Sequence, residues 1–228
     1  MKILASDFDK TLFVENKEVF NKNILAIKKF ITQGNIFCII TGRNYSHVKE
    51  NLNKYKIPYS YLICADGAKI FNNVDYCIQT NLLDSNKILQ IKEILEQNNC
   101  EYYLDDGYNQ TTNIHDCIKV VGIIKEKSQA NTILTEIKQK LSVYIYLSTE
   151  HINITDIDVN KCNSLKELLN LEKLSENDLY VIGDEVNDIE MLQTFKGAIM
   201  KEHNPILDKL NKREYNTLYE YIEELSKN

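Results

Sequence analysis

A chain of 228 residues, 43% of them hydrophobic and 26% charged, has the composition of an ordinary globular protein that can bury a proper core. Its formal net charge of −6 argues against a nucleic-acid partner or an anionic membrane surface, because both attract basic patches. The longest apolar runs hold about five residues against the roughly 20 of a membrane span, and no signal-peptide core precedes Asp7, so we predict a cytoplasmic protein.

The first part of the chain predicts strands and helices in alternation. The strand at 36–40 is apolar throughout, which is typical of a sheet covered on both faces, as in parallel α/β folds. Before it, Ile24, Ile27 and Ile31 recur at helical spacing. The predicted order is a strand at 2–6, a helix around Ile27, strands at 36–40 and 61–64, and a polar helix at 45–55 between those two strands.

The middle of the chain predicts a different pattern, helix-strand-strand, which occurs twice. Consecutive strands that are joined by short turns pair antiparallel. We therefore predict that residues 82–155 form an inserted α+β module and not a part of the first sheet. The first unit has a helix at 86–97 with strands at 102–104 and 118–124, and the second has a helix at 128–141 with strands at 143–147 and 152–155.

The first pattern resumes after residue 155. The segments 1–81 and 156–228 together predict one doubly wound, mainly parallel, Rossmann-like sheet of the α/β class. Ligands bind such sheets at the carboxyl ends of the strands. The predicted elements are a helix with Leu165, Leu168 and Leu169, a strand at 179–182, a helix from about Asp188, a short strand at 197–200, and two terminal helices.

Four aspartates follow predicted strands at that edge of the sheet. Asp7 and Asp9 come after the first strand, and Asp184 and Asp188 follow the strand at 179–182. Carboxylates brought together repel each other unless a cation joins them, and Mg²⁺ prefers such oxygen ligands. We predict a Mg²⁺ site. The alternatives without a metal are an Asx-type turn at the first pair and a helix N-cap at Asp188.

Two further segments suit a phosphoryl group. Thr41-Gly42-Arg43 follows the strand at 36–40, where a hydroxyl, backbone N–H groups and a glycine that permits close approach can hold phosphate oxygens. Lys161 stands near a helix start just after the inserted module. Its compact charge suits a phosphate, although a lysine at such a place is usually solvated.

Taken together, these segments resemble the haloacid dehalogenase-like hydrolase superfamily. Their order is D-x-D-x-T, T-G-R, Lys and G-D-x-x-N-D, each at a strand exit or a helix start, and the likeness covers residues 1–81 and 156–205. The run Ile189-Glu190-Met191-Leu192 and the place of the insertion are similar to the Cof-type subfamily with a type IIB cap. Segments 1–81 and 156–228 would then be the catalytic core, and residues 82–155 the cap.

The resemblance implies a covalent mechanism at the aspartates. Asp7 would be the nucleophile that attacks phosphorus, and Asp9 would act as general acid and then general base. The side chain of Asp7, the backbone carbonyl of Asp9 and the side chain of Asp184 would bind Mg²⁺, with Asp188 as the supporting carboxylate. The presence of Asp9 separates phosphatases from family members that lack this acid/base, such as the dehalogenases.

The resemblance also implies the substrate class. Thr41, Gly42, Lys161 and Asn187 would hold the phosphoryl oxygens. We expect hydrolysis of small phosphorylated metabolites, such as sugar phosphates, by a monomer or weak homodimer. Two alternatives stay open, a phosphosugar mutase on the same scaffold and a non-catalytic sensor of a phosphorylated ligand.

Two polar segments have no assigned role. Asp66-Gly67-Ala68 stands where many Cof-type enzymes carry Asn-Gly-Ala, so its extra carboxylate could repel a phosphate or bind a sugar hydroxyl. The cap would close over the site, and its polar turn Asp105-Asp106-Gly107-Tyr108 could reach the leaving group or simply be an exposed turn.

Overall fold

The computed structural model describes residues 1–227, which form two β-sheets flanked by helices. The strands are β1 (Ile3–Asp7), β2 (Ile36–Ile40), β3 (Tyr61–Cys64), β4 (Lys69–Asn72), β5 (Cys77–Thr80), β6 (Glu101–Asp105), β7 (Gln110–Thr111), β8 (Lys119–Ile123), β9 (Val143–Leu147), β10 (His151–Asp156), β11 (Leu179–Gly183), β12 (Lys196–Met200) and β13 (Arg213–Tyr215). The helices are α1 (Lys17–Thr32), α2 (Tyr45–Tyr55), α3 (Ser85–Gln97), α4 (Lys127–Lys140), α5 (Lys161–Leu171), α6 (Ile189–Thr194) and α7 (Leu218–Lys227).

The larger sheet has eight strands in the order β13-β12-β11-β1-β2-β3-β4-β5. Neighbouring strands run parallel from β13 to β3, and β4 and β5 add an antiparallel hairpin at one edge. The predicted doubly wound, mainly parallel α/β sheet is therefore confirmed.

Apolar cores lie on both faces of this sheet. One core contains Phe30 of α1, Leu52 of α2 and Ile222 of α7. The other contains Leu168 of α5 and Met191 of α6. Because the central strands are buried on both faces, they need apolar side chains in succession, which explains the continuous apolar runs of the sequence.

The smaller sheet has five strands in the order β7-β6-β8-β10-β9, and all of its neighbouring strands are antiparallel. It has a core of its own, which contains Ile91 of α3, Ile133 of α4, Val120 of β8 and Ile154 of β10. The predicted antiparallel pairing in the middle of the chain is confirmed. Its division from the rest at residues 82 and 155, as a functional cap, stays a prediction.

The C-terminal segment differs from the predicted pair of helices. Between β12 and α7, residues Pro205–Leu210 form a short 3₁₀ segment, and β13 then adds an edge strand beside β12. A strand of three residues is too short to show a period in the sequence. The β4–β5 hairpin and β7 were not predicted either, since β5 and β7 are edge strands of only four and two residues.

Local side-chain contacts set the helix bounds. At the start of α1, the Asn16 side chain accepts hydrogen bonds from the backbone N–H groups of Glu18 and Val19, which otherwise have no partner within the helix. This helix has 16 residues. Across residues 1–227, no helix is both long enough and apolar enough to cross a membrane.

Gly67 lies in the loop after β3 and packs against the start of α5. Its φ is +114°, and an added Cβ would lie 2.7 Å from the carbonyl oxygen of Asn160 and 2.8 Å from Ser164 Cβ. We expect Gly67→Ala to lower the free energy of unfolding by about 2–4 kcal/mol, through backbone strain and overpacking. Gly34→Ala is the control, because Gly34 has a φ of +82° with no neighbouring atom within 4 Å. Equal losses for both variants in urea unfolding would contradict the close packing at Gly67.

Candidate active site

The carboxyl ends of three neighbouring strands meet at the middle of the larger sheet. β1 lies between β2 and β11, so the chain winds away from it in both directions and leaves a crevice at this edge. Asp7 ends β1, Thr41 follows β2 and Asp184 follows β11. These three residues line a cavity of about 490 Å³, and the smaller sheet supplies its opposite wall.

Three buried carboxylates form the floor of the site. Asp7, Asp184 and Asp188 each offer a carboxylate oxygen, and these oxygens lie within 4.8 Å of one another. Lys161 joins two of them, because its Nζ donates to Oδ1 of Asp7 at 2.5 Å and to Oδ1 of Asp188 at 2.7 Å. Three carboxylates and one ammonium leave a formal charge of −2, which suits a divalent cation.

Burial and mutual repulsion act on these carboxyl groups. The pKa of Asp7 is raised well above its usual value by burial and by the charges of Asp188 and Asp184, although Lys161 opposes the rise. Burial, with the charge of Asp188, raises the pKa of Asp184 to about 7. Such groups gain from a cation, so the donor set fits Mg²⁺, which takes hard oxygen ligands.

The positions of Lys161 and Asp188 follow from the local backbone. Lys161 is the first residue of α5, whose N-cap Asn160 accepts a hydrogen bond from the backbone N–H of Asn163. Oδ2 of Asp188 accepts hydrogen bonds from the backbone N–H groups of Asp184 and Glu185, both at 3.0 Å. Asp188 occupies the N-cap position of α6, as the alternative without a metal had it, but its side chain makes no capping hydrogen bond to that helix.

Asp9 lies apart from the buried carboxylates. Its side chain is 46% exposed and accepts two hydrogen bonds from Arg43, from Nε at 2.8 Å and from Nη2 at 2.6 Å. The carboxylate therefore stands at the rim of the cavity that Asp7 also lines, and it is open to solvent. Its expected metal contact through the backbone carbonyl stays a prediction.

The residues predicted to hold phosphate also reach the cavity, except for one. Thr41, Gly42 and Asn187 line it, whereas Lys161 lies behind Asp7 and is 1% exposed. The hydroxyl oxygen of Thr41 accepts a hydrogen bond from the backbone N–H of Arg43 at 3.1 Å, which fixes the turn after β2. Thr41, Gly42 and Asn187 thus line the same cavity as the carboxylates of Asp7 and Asp184.

Sequence reasoning gave no role to two residues of the site. The hydroxyl of Thr11 donates to Oδ1 of Asp184 at 2.7 Å and so orients that carboxylate. Arg43 binds Asp9 as described above. Both stand inside the quoted motifs, as the last residue of D-x-D-x-T and of T-G-R, so motif membership was the available signal.

The turn after β6 packs against the start of α2. The backbone N–H of Tyr45 donates to the carbonyl oxygen of Gly107 at 2.7 Å, and Asn44 Nδ2 donates to Oδ2 of Asp105 at 3.0 Å. Asp105 and Gly107 are buried, so the alternative of an exposed turn is wrong for them. Tyr108 is 37% exposed, and its ring centroid lies 5.5 Å from that of Tyr45.

Comparison with known proteins places this architecture in a family. The family model described as haloacid dehalogenase-like hydrolase matches residues 4–111 and 104–217. A 5-amino-6-(5-phospho-D-ribitylamino)uracil phosphatase of Bacillus subtilis is 22% identical over 201 residues, which cover 85% of this chain and 80% of the relative. Among solved structures, a haloacid dehalogenase-like hydrolase from B. subtilis has a TM-score of 0.85 at 16% identity, over 97% of this chain and 96% of its own. A subclass IIB sugar phosphatase of the same superfamily has a TM-score of 0.83 at 15% identity, over 99% of each chain.

The family match spans the segments that carry all four motifs and most of the chain between them. The two structural neighbours share the fold over nearly the whole chain, and one of them is of subclass IIB, in agreement with the predicted Cof-type and type IIB resemblance. The chain belongs to the haloacid dehalogenase-like hydrolase family.

Proposed function

We propose that this protein is a Mg²⁺-dependent phosphatase that hydrolyses monoesters of small phosphorylated metabolites, sugar phosphates among them, through a phosphorylated Asp7. The observation that carries the proposal is the buried cluster of Asp7, Asp184 and Asp188 around Lys161 at the carboxyl ends of β1 and β11. The names of the relatives support the class, since one is a phosphatase of a phosphorylated ribitylaminouracil and another is a sugar phosphatase.

In the first half-reaction, a carboxylate oxygen of Asp7 attacks phosphorus, and the bond from phosphorus to the leaving-group oxygen breaks. Asp9 donates its proton to that oxygen, so the leaving group departs as a neutral alcohol. Arg43 holds the Asp9 carboxylate at the rim, within the same cavity as Asp7.

In the second half-reaction, a water molecule attacks phosphorus and gives a proton to the ionised Asp9. The bond between Asp7 and phosphorus breaks, which restores the Asp7 carboxylate and releases inorganic phosphate. The proton that Asp9 gains is the one it donates in the next turnover, so the cycle balances.

The transferring phosphoryl group carries negative charge that the site has to stabilise. Thr41, Gly42 and Asn187 line the cavity and offer a hydroxyl, a backbone N–H and an amide to its oxygens. Lys161 supplies a positive charge beside Asp7. Asp7 and Asp184, with the backbone carbonyl of Asp9 and the supporting Asp188, would hold Mg²⁺, which supplies further positive charge to the phosphoryl oxygens when bound.

We assign residues 82–155 as the cap that closes over this site, and residues 1–81 and 156–228 as the catalytic core. The cavity supports this division, because its lining comes from both sheets. The leaving group would then lie against the smaller sheet, where substrate specificity resides. A cytoplasmic location and a monomeric or weakly dimeric state stay predictions from the sequence.

The test is phosphate release from a panel of sugar phosphates, nucleotides, phosphoglycolate and cofactor phosphates. We expect Mg²⁺-dependent turnover of a few related esters, loss of turnover in EDTA and recovery when Mg²⁺ is restored. No phosphate release from any ester of the panel would favour the non-catalytic sensor of a phosphorylated ligand. Conversion of a sugar phosphate to its isomer, without phosphate release and faster with a bisphosphate activator, would favour the mutase.

Binding of Mg²⁺ has a second measurable consequence, in thermal unfolding. The raised pKa of Asp184, about 7, means that the folded protein holds a proton there up to neutral pH, so the metal-free protein loses stability as pH rises and the cluster becomes charged. Mg²⁺ offsets this repulsion. The rise in melting temperature on adding Mg²⁺ should therefore be larger at pH 8 than at pH 6, and an equal rise at both would contradict binding at Asp184.

A further inference from the structure

The wall contributed by the smaller sheet determines which leaving groups fit the cavity. Most of its polar side chains are hydrogen-bonding groups without a permanent charge. Groups of this kind pair with the hydroxyl groups of a ligand. They are Tyr103, Gln110, Tyr146, Ser148, His151 and Asn153.

Lys119 brings a permanent positive charge from β8 to this wall, but that charge is already matched. Its Nζ donates to Oδ2 of Asp66 at 2.5 Å and to the backbone carbonyl oxygen of Gly42 at 3.1 Å. The side chains of Lys119 and Asp66 are only 5% and 1% exposed. An ammonium has three N–H donors, so one of them remains for a neutral acceptor in the cavity.

Asp66 is fixed in this pairing by groups from both sheets. Its Oδ1 accepts hydrogen bonds from the hydroxyl of Tyr146 at 2.8 Å and from Nδ2 of Asn187 at 2.9 Å. Burial raises the pKa of the Asp66 carboxyl, but the charge and hydrogen bond of Lys119, with the hydrogen bond from Asn187, outweigh burial and hold the pKa below its usual value. An incoming anion that took Lys119 away would leave a buried carboxylate unpaired, which is costly.

Asp105 contributes a carboxylate to this wall. It lies opposite Lys119 in the pairing of β6 with β8, and it lines the cavity. Its Oδ2 accepts a hydrogen bond from Asn44 Nδ2 at 3.0 Å. A leaving group near Lys119 therefore meets the carboxylate of Asp105 and a cation that is already paired with the buried Asp66.

We propose that Asp66 is a specificity-determining residue that restricts the leaving group to uncharged, hydroxyl-bearing molecules by neutralising Lys119. The inference rests on the proposed phosphatase function and narrows its substrate class. A leaving group with a second anionic group finds no unpaired cation on this wall, because Asp66 already holds Lys119, and it is repelled by Asp105. Like charges placed together in a buried site are costly. A hydroxyl group on the leaving group instead accepts a hydrogen bond from the remaining N–H of Lys119.

The experiment compares glycerol 3-phosphate with 3-phosphoglycerate. The leaving group of the first carries a hydroxymethyl group at the position where that of the second carries a carboxylate. The wild-type kcat/KM should favour glycerol 3-phosphate by at least about tenfold, because the carboxylate is repelled. Asp66→Asn keeps an oxygen for Tyr146 and Asn187 but leaves Lys119 unpaired. We expect this variant to lower KM for 3-phosphoglycerate and to shift the kcat/KM ratio at least about tenfold towards it.

The double variant Asp66→Asn/Lys119→Met is the matched control, since it removes both charges. Its ratio should return towards preference for glycerol 3-phosphate. A wild type that hydrolyses both esters equally would overturn the inference, as would an Asp66→Asn variant that loses activity on both in the same proportion. If thermal unfolding shows that Asp66→Asn does not fold, the wild-type ratio alone decides.

The two proposals fail in different ways. A wild type that releases phosphate from neither ester nor from p-nitrophenyl phosphate overturns the proposed function, and the inference falls with it. A wild type that hydrolyses p-nitrophenyl phosphate and prefers 3-phosphoglycerate overturns only the role of Asp66.

Discussion

Asp7→Asn should abolish phosphate release, with kcat/KM lowered on the order of 10⁴-fold or more, as expected when a covalent hydrolase loses its nucleophile. An amide cannot form the phosphorylated intermediate, and the buried carboxylate cluster loses one negative charge as well. Rapid acid quench of the wild type, followed by mass spectrometry, should show a phosphoryl group on the peptide that contains Asp7. The variant should show no such label.

Folding should survive this substitution. Burial and the neighbouring carboxylates disfavour the charged form of Asp7 and raise its pKa, and Lys161 keeps Asp188 as a partner, so a neutral side chain of the same size costs little. Thermal unfolding should therefore give a melting temperature no lower than that of the wild type. Asp116→Asn is the control, because Asp116 is exposed, bonds only to its neighbour Asn113 among described side chains and lies outside the cavity. Full activity of Asp7→Asn would contradict the covalent mechanism.

The sequence predicted the parts of the fold and site that depend on local patterns. Parallel strands buried on both faces produce continuous apolar runs, and their ends mark the sheet edge where Asp7, Thr41 and Asp184 stand. Helix starts are visible for a similar reason, since cap residues such as Asn160 act within one turn. Strand exits and helix starts were therefore within reach of sequence reasoning.

Sequence patterns could not predict contacts between distant parts of the chain. Asp66 and Lys119 are separated by 53 residues and come from different sheets, so only tertiary packing brings them to 2.5 Å. The sequence showed Asp66 as an unexplained carboxylate and gave no sign of its partner. The pairing of Asp9 with Arg43, 34 residues apart, is of the same kind. Short edge strands such as β13 also depend on a neighbour that is already in place.

Lys161→Met should affect both stability and activity, because Lys161 is the counter-charge of two buried carboxylates. Removing one partner of a buried ion pair costs about 3–5 kcal/mol of unfolding free energy. We expect a loss of that size in the metal-free protein at pH 8 and a smaller one at pH 5. The sign follows from Asp7, whose already raised pKa rises further without the ammonium, so that at low pH it takes up a proton and the uncompensated charge disappears.

Mg²⁺ separates the structural from the catalytic part of this effect. Its charge at Asp7 and Asp184 should restore much of the melting temperature of Lys161→Met, whereas kcat should stay lowered by about 10²–10³-fold, since the missing charge acts on the phosphoryl group during transfer. Lys166→Met is the matched control, because Lys166 lies on the same helix but is exposed. If Mg²⁺ restored activity together with stability, Lys161 would only stabilise the folded site, and its role in stabilising the charge of the phosphoryl group would have to be abandoned.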